Sequence, residues 1–199
     1  ENRTPENVSK TIEKYKVELL PVSPTFLNLL LISKMYKKYN FKSIKLITYG
    51  TELMPEILLK NISKIFPNSE LLQTYGLTEV GILSTKSEKR DSLWLKIGGP
   101  NYETKIENGI LYIKAKSTML GYLNAKEKIN DGWFNTEDMV EQKGEYIKFL
   151  GRKSEIINVG GQKVYPSEVE NILMSFKGVK DALVTSRKNP IMGEVVEAK

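Results

Sequence analysis

"IKLITYGTELMPEILLKNISKIFPNSELLQTYG", residues 44–76, holds two short apolar runs that each close on Tyr-Gly, separated by a helical segment that Pro55 opens and Pro67 follows. Strand, helix and strand at this spacing predict a parallel sheet with a crossover helix. Upstream, "VELLPVS" (17–23) is a further short strand interrupted by Pro21, and Ser23-Pro24 opens the apolar helix "TFLNLLLIS" (25–33). Thr4-Pro5 caps an earlier helix in which Val8, Ile12 and Tyr15 recur at helical spacing. Residues 1–83 therefore read as an α/β unit.

Downstream the texture changes to short alternating runs with tight turns. "ETKIENGILYIKA" (103–115) carries Asn108-Gly109 between alternating segments, and "DMVEQKGEYIKFLGR" (138–152) repeats the design at Lys143-Gly144. Residues 84–150 are thus expected to form a small antiparallel sheet or barrel. From 151 to 199 the pattern shifts again. A hairpin around Gly160-Gly161 leads into a helix opened by Pro166 and Ser167, with Val169, Ile172, Leu173 and Phe176 on one face, and "VKDALVTS" and "GEVVEA" follow as strands. One helix and a few strands bury little core alone, so this last α+β unit reads as incomplete.

Composition narrows the chemistry. The 199 residues carry 30 Lys and Arg against 24 Asp and Glu, a net charge of +6 with no block of like charges. That pattern points to a solvated surface and away from nucleic acid. With no Cys and no His, disulfides, zinc sites, cysteine nucleophiles and imidazole bases are excluded. Carboxylates, hydroxyls, backbone groups, lysine, arginine or a hard metal ion remain. The longest apolar run, "FLNLLLI" (26–32), is too short to span a membrane, and "ENRTPENVSK" at the start lacks the apolar region of a signal peptide. It reads as an internal segment, and a cytoplasmic setting is expected.

In a parallel α/β sheet, ligands bind beyond the carboxyl ends of the strands. Two such ends would present Gly50-Thr51-Glu52 and Tyr75-Gly76-Leu77-Thr78-Glu79 to one crevice, each through a strand-to-glycine turn. Glycine admits a close backbone approach, tyrosine stacks on a base, threonine bonds a phosphate oxygen and glutamate is a hard oxygen ligand. Taken alone, Tyr-Gly after a strand is as readily a turn as a site. Trp133 and Phe134 are as readily core, Glu137 and Asp138 surface charges, and "GRKSEIINVGGQKVYP" an ordinary hairpin before a helix.

The order and spacing of three segments decide between these readings. "YGLTE" (75–79), "GWFNTED" (132–138) and "GRKSEIINVGG" (151–161) followed by "PSEVE" (166–170) resemble the adenylate-forming superfamily. That superfamily comprises acyl-CoA and aryl-CoA synthetases, adenylation domains of nonribosomal peptide synthetases and firefly luciferase. Its patterns are Tyr-Gly-x-Thr-Glu, Gly-Trp-Phe-x-Thr-Gly-Asp, and Gly-Arg-x-x-Asp-x-Ile-Lys-x-x-Gly before Pro-x-Glu-Val-Glu. The resemblance runs from about Val17 to the end.

It implies an AMP-forming ligase that activates a carboxylic acid with Mg²⁺ and ATP, then passes the acyl group to coenzyme A or to the phosphopantetheine of an acyl or peptidyl carrier protein. Tyr75 would stack on adenine, Thr78 would bond the α-phosphate and Glu79 would hold Mg²⁺. Gly50, Thr51, Glu52 and Gly76 would line the nucleotide, and Asp138 and Arg152 would grip the ribose. Tyr49, Thr74, Ile82 and Leu83 match the acyl pocket, where three bulky side chains favour a flat or small acid. Ser154 matches the hinge, and Gly160 and Gly161 the loop beside the pantetheine tunnel.

Glu137 stands where the superfamily has glycine, Ser154 where the hinge is usually Asp or Lys, and Glu155 and Asn158 replace the following Asp and Lys. The superfamily's phosphate loop would precede residue 1, and its late catalytic lysine would lie beyond Lys199, since neither Lys163 nor Lys199 stands in that lysine's motif. The chain thus reads as the middle and late part of a larger enzyme. The alternative is a non-catalytic nucleotide-binding or structural module on the same fold. Thr78, Glu79, Asp138 and Arg152, all in register, speak against it.

Overall fold

The computed structural model describes residues 3–124 and 129–199. Thr4 and Ser23 each accept a first-turn N–H and are each followed by proline, so they open α1 (Pro5–Tyr15) and α2 (Pro24–Ser33). β1 (Leu19–Val22), β2 (Leu46–Tyr49) and β3 (Glu70–Gln73) pair in parallel in that order, with α3 (Glu56–Ile65) crossing from β2 to β3. Leu27, Ile47 and Leu59 are fully buried in the core these elements share. Both ends of α3 are finished by distant residues. Pro55 offers no capping side chain, and the Glu56 N–H donates instead to Asn171 Oδ1 at 2.8 Å. At the other end Arg90 donates to the carbonyls of Ser63, Phe66 and Ser69.

One residue beyond β3 the chain enters an antiparallel sheet. Its strands are β4 (Tyr75–Leu77), β5 (Gly81–Ser87), β6 (Leu95–Gly98), β7 (Tyr102–Glu107), β8 (Ile110–Ala115), β9 (Ile129–Asn130), β10 (Trp133–Lys143) and β11 (Tyr146–Arg152). They run in the order β4-β5-β6-β11-β10-β8-β7, with β9 on β10, over a core that includes Val80, Ile113 and Phe134. The expected boundary at 83/84 falls inside β5. The reason is the β4–β5 hairpin, whose apolar residues hide the alternation that marks the later strands. Asn108-Gly109 forms the expected turn, with φ of 52° and 76°. The second turn is displaced by one residue: Lys143 pairs with Tyr146, leaving Gly144 and Glu145 as the loop.

The last sheet, β13-β12-β15-β14, consists of β12 (Ile157–Val159), β13 (Gln162–Val164), β14 (Val184–Asn189) and β15 (Gly193–Ala198), joined through α4 (Pro166–Met174). Gly160 and Gly161 make the β12–β13 turn at φ of 56° and 92°. The shared apolar face expected from Val169 to Phe176 is only half realised. α4 stops at Met174, and Ile172 and Phe176 are exposed, because among the described residues this unit buries only Ile157 and Val184. α4 is fastened to the rest of the molecule by polar contacts. Ser167 Oγ donates to the Leu150 carbonyl, and Asn171 caps α3. Among the described residues no helix is long and apolar enough to cross a membrane.

Candidate functional site

The ends of β2 and β3 lie against each other because Gly50 has no side chain. A Cβ there would sit 2.5 Å from Thr74 Oγ1 and 2.7 Å from the Thr74 carbonyl oxygen. The Thr74 N–H donates to the Tyr49 carbonyl at 2.7 Å, closing the junction. Gly76 serves a similar purpose within β4, where a Cβ would meet the Gly81 carbonyl and Ile82 Cα at 2.9 Å. It lies in a strand, so the glycine turn expected at this position is absent. The turn is the three-residue loop Thr78-Glu79-Val80, which joins β4 to β5.

Between these ends and the β10–β11 pair lies a cleft of about 230 Å³. Its walls include Gly50, Thr51, Glu52, Thr74, Tyr75, Gly76, Asp138 and Arg152, together with Gln73, Phe149 and Glu155. Asp138 and Arg152 are direct partners across β10 and β11, and their side chains pair at 2.8 Å from Arg152 Nε. Tyr75 donates its hydroxyl to Asp138 Oδ2 at 2.5 Å and stacks on Phe149 with ring centroids 4.5 Å apart. Arg152 Nη1 also donates to the Thr136 carbonyl. The buried Thr136 hydroxyl accepts the Asp138 N–H while donating to Leu111 O. Asp138 is thus fixed from three sides.

The residue is only 7% exposed, and burial pushes its pKa above the usual aspartate value, against the opposing pull of Tyr75 and Arg152. Burial, reinforced by Asp138, raises the Tyr75 phenol well above its ordinary range.

A bulge makes this geometry possible. The β10 register shifts between Asn135 and Met139, and Glu137 sits inside the irregularity at φ 60°, a conformation that favours glycine. Its N–H donates to Asn135 Oδ1. The residue that departs from the superfamily pattern keeps the backbone shape that glycine would adopt.

Other expected residues are placed differently. Glu52 borders the cleft, but its carboxylate accepts the N–H and hydroxyl of Thr25 at the start of α2. Thr51 adopts φ 70°. Of the four matches to an acyl pocket, only Thr74 borders the cleft. Tyr49 and Leu83 are buried in two different cores, and Ile82 is 78% exposed with its carbonyl bonded by Tyr102. The alternation of β5 turns Leu83 inward and Ile82 outward. The Tyr49 hydroxyl is buried without a partner among the described residues, and burial raises its pKa. Thr78 is exposed at the head of its turn and stands outside the cleft walls.

Ser154 is exposed in a 3₁₀ turn, Lys153–Glu155, where Glu155 accepts the Arg152 N–H. Gly160 is packed toward Met192 and bonded to its carbonyl, Gly161 faces open space, and neither belongs to the cleft walls. Gln73 was not singled out by the sequence. It is nine-tenths buried in the cleft wall, and its side-chain oxygen has no hydrogen-bond partner among the described residues.

Glu79 is half-buried, and Oε1 accepts the Tyr122 hydroxyl at 2.6 Å. Oε2 has no partner among the described residues. No cluster of three or more potential ligand side chains occurs among them. One carboxylate with a free oxygen fits Mg²⁺, which takes one or two protein carboxylates and fills its shell with phosphate oxygens and water.

Residues 1–123 match the model of the family described as AMP-binding enzyme. The chain is 28% identical to the 3-[(3aS,4S,7aS)-7a-methyl-1,5-dioxo-octahydro-1H-inden-4-yl]propanoyl:CoA ligase of Mycobacterium tuberculosis, over 98% of this chain and 41% of that protein. It is 28% identical to the indoleacetate–CoA ligase of Aromatoleum aromaticum, over 94% and 40% of the respective chains. It is 29% identical to the 3,4-dihydroxybenzoate–[aryl-carrier protein] ligase of Bacillus anthracis, over 97% and 42%. The chain thus spans about two fifths of the length of these curated relatives. ATP-bound MatB from Rhodopseudomonas palustris superposes with a TM-score of 0.83 at 23% identity, covering 98% of this chain and 42% of that one. The amide bond synthetase McbA from Marinactinospora thermotolerans gives 0.79 at 19%, covering 98% and 43%. At these identities the likeness is one of fold.

Proposed function

Because the chain belongs to the AMP-binding enzyme family, we propose that it forms the nucleotide-gripping part of an ATP-dependent ligase for carboxylic acids. In the first half-reaction a carboxylate oxygen attacks the α-phosphorus of ATP, the bond to the β-phosphate oxygen breaks, and acyl-adenylate and pyrophosphate result. In the second a thiol sulfur attacks the acyl carbon, AMP leaves and the thiol proton is released. The thiol belongs to coenzyme A or to a carrier-protein phosphopantetheine, the two acceptor classes for which the relatives are named. A cytoplasmic setting belongs to the same reading, since a free thiol acceptor must stay reduced.

One observation carries this reading: Tyr75, Asp138 and Arg152 converge on a cleft that Gly50 and Gly76 also line. A buried carboxylate held by two donors is oriented to accept ribose hydroxyls, and glycine backbone admits a flat ring beside Tyr75. Phe149 supports that tyrosine from behind. Thr78 and Glu79, on the turn that follows the cleft-lining Leu77, are assigned to the α-phosphate and to the cation. Mg²⁺, when bound, supplies charge neutralisation on the phosphates. The protein's own part is positioning and fixed dipoles, with no protein nucleophile.

The acid is assigned to the space beside Thr74. Relatives named for indoleacetate and 3,4-dihydroxybenzoate support a compact, flat acid. Ser154 is assigned to the pivot and Gly160-Gly161 to the thiol path. The test is pyrophosphate exchange with a panel of carboxylic acids, on the protein expressed from its full reading frame. Acid-dependent exchange is expected. ATP binding without exchange for any acid would favour a non-catalytic nucleotide module.

A further inference from the structure

Glu79 is clasped by a segment that none of the quoted motifs includes. Ser117 Oγ donates to the Val80 carbonyl at 2.6 Å, and the Met119 N–H donates to the Glu79 carbonyl at 2.8 Å. Tyr122 donates its hydroxyl to Glu79 Oε1 at 2.6 Å. Three hydrogen bonds from six residues thus fall on two consecutive residues of the β4–β5 turn. Apolar packing is confined to Met119, which rests against the Val80 core, whereas the next residue, Leu120, is fully exposed and Tyr122 contributes a polar contact. The clasp is polar and aimed at the turn.

A glutamate side chain has several rotatable bonds, so a half-buried one such as Glu79 keeps a choice of rotamers unless a partner fixes its carboxylate. A short bond from a neutral hydroxyl to an ionised carboxylate is one of the stronger hydrogen bonds available. The tyrosine that makes it has only two side-chain torsions, so little freedom is lost in holding the carboxylate still. It engages one oxygen and leaves the other for a ligand.

We propose that Tyr122 is a positioning residue that fixes the Glu79 carboxylate for the divalent cation accompanying the nucleotide. The proposal rests on the assignment of Glu79 to that cation. Tyr122 acts through Glu79 and does not touch the metal. Supporting groups of this kind commonly change metal affinity by about ten- to a hundredfold.

The test is a Mg²⁺ titration of ATP binding, followed by calorimetry, on the protein expressed from its full reading frame and on its Tyr122→Phe and Glu79→Gln variants. Tyr122→Phe keeps the ring and removes one oxygen. It is expected to raise the Mg²⁺ concentration needed for half-maximal enhancement about tenfold, while metal-free AMP affinity stays within about twofold of the unmodified protein. With Mn²⁺ in place of Mg²⁺, the bound fraction read by electron paramagnetic resonance should fall in parallel. Three results would overturn the proposal. If Glu79→Gln raises the metal requirement and Tyr122→Phe does not, the positioning role fails while the assignment of Glu79 stands. If Tyr122→Phe weakens metal-free AMP binding as much as the metal-dependent part, Tyr122 only shapes the turn. If neither variant moves the metal requirement, the assignment of Glu79 fails and takes the proposal with it.

Discussion

The Tyr75 hydroxyl donates to Asp138 Oδ2 at 2.5 Å, linking the strand that leaves the parallel sheet to the bulged strand 63 residues later. This bond orients the carboxylate assigned to the ribose, and its loss should cost the lower end of the range for bonds to charged groups, about 1.5 kcal/mol. Tyr75→Phe, which keeps the stack on Phe149, is expected to weaken AMP binding by about tenfold in calorimetry. Affinity equal to that of the unmodified chain would show that Asp138 holds its orientation without Tyr75.

Arg152 serves two acceptors at once, Asp138 through Nε and the Thr136 carbonyl through Nη1. Lysine cannot reproduce that fork. Arg152→Lys should therefore reduce the preference for AMP over 2′-deoxy-AMP, measured as a ratio of dissociation constants. An unchanged ratio with weaker binding of both would remove the pair from the ribose.

Gly76 is enclosed by backbone, with the Gly81 carbonyl and Ile82 Cα 2.9 Å from where a Cβ would lie. Neither neighbour is a flexible side-chain end. Gly76→Ala should destabilise the chain by about 1–3 kcal/mol in urea denaturation by splaying the β4–β5 hairpin.

Glu137 holds φ 60°. At such a position glycine is relieved of the Cβ clash that alanine keeps. Glu137→Gly should exceed Glu137→Ala in stability by about 1 kcal/mol, the reverse of the usual order in a strand. Equal stability of the two variants would show that the bulge relaxes around the side chain.

Burial raises the Asp138 pKa in the folded chain, so the folded state holds its proton to higher pH than the unfolded state, whose ordinary value is 3.8. Between those two values the unfolded state binds fewer protons, and stability contributed by the protonated carboxyl is lost as pH rises. Asp138→Asn carries no such slope. Its stability relative to the unmodified chain should therefore improve from about pH 4 toward neutrality, read by denaturation at several pH values. A constant difference would mean that Asp138 titrates alike in both states.

Local chemistry was legible in the chain itself. Thr4 and Ser23 before proline, the paired turn residues at 108–109 and 160–161, and the apolar runs around α3 each act through backbone geometry within a few residues, so they can be read without neighbours. The residues that meet in the cleft were legible for a related reason. Tyr75, Asp138 and Arg152 lie in short ordered segments whose spacing carries the family resemblance.

Only the tertiary structure decided what surrounds each side chain. Period-two alternation says that Ile82 and Leu83 face opposite ways, but the packing of β5 on its sheet decides which of them is buried. Glu52 turns to Thr25, Arg90 and Asn171 close the two ends of α3, and Tyr122 reaches Glu79 across 43 residues. Each of these contacts joins positions far apart in the chain and depends on where whole sheets and helices come to rest. Spacing encodes the chemistry a segment can offer, whereas long-range packing settles which partner receives it.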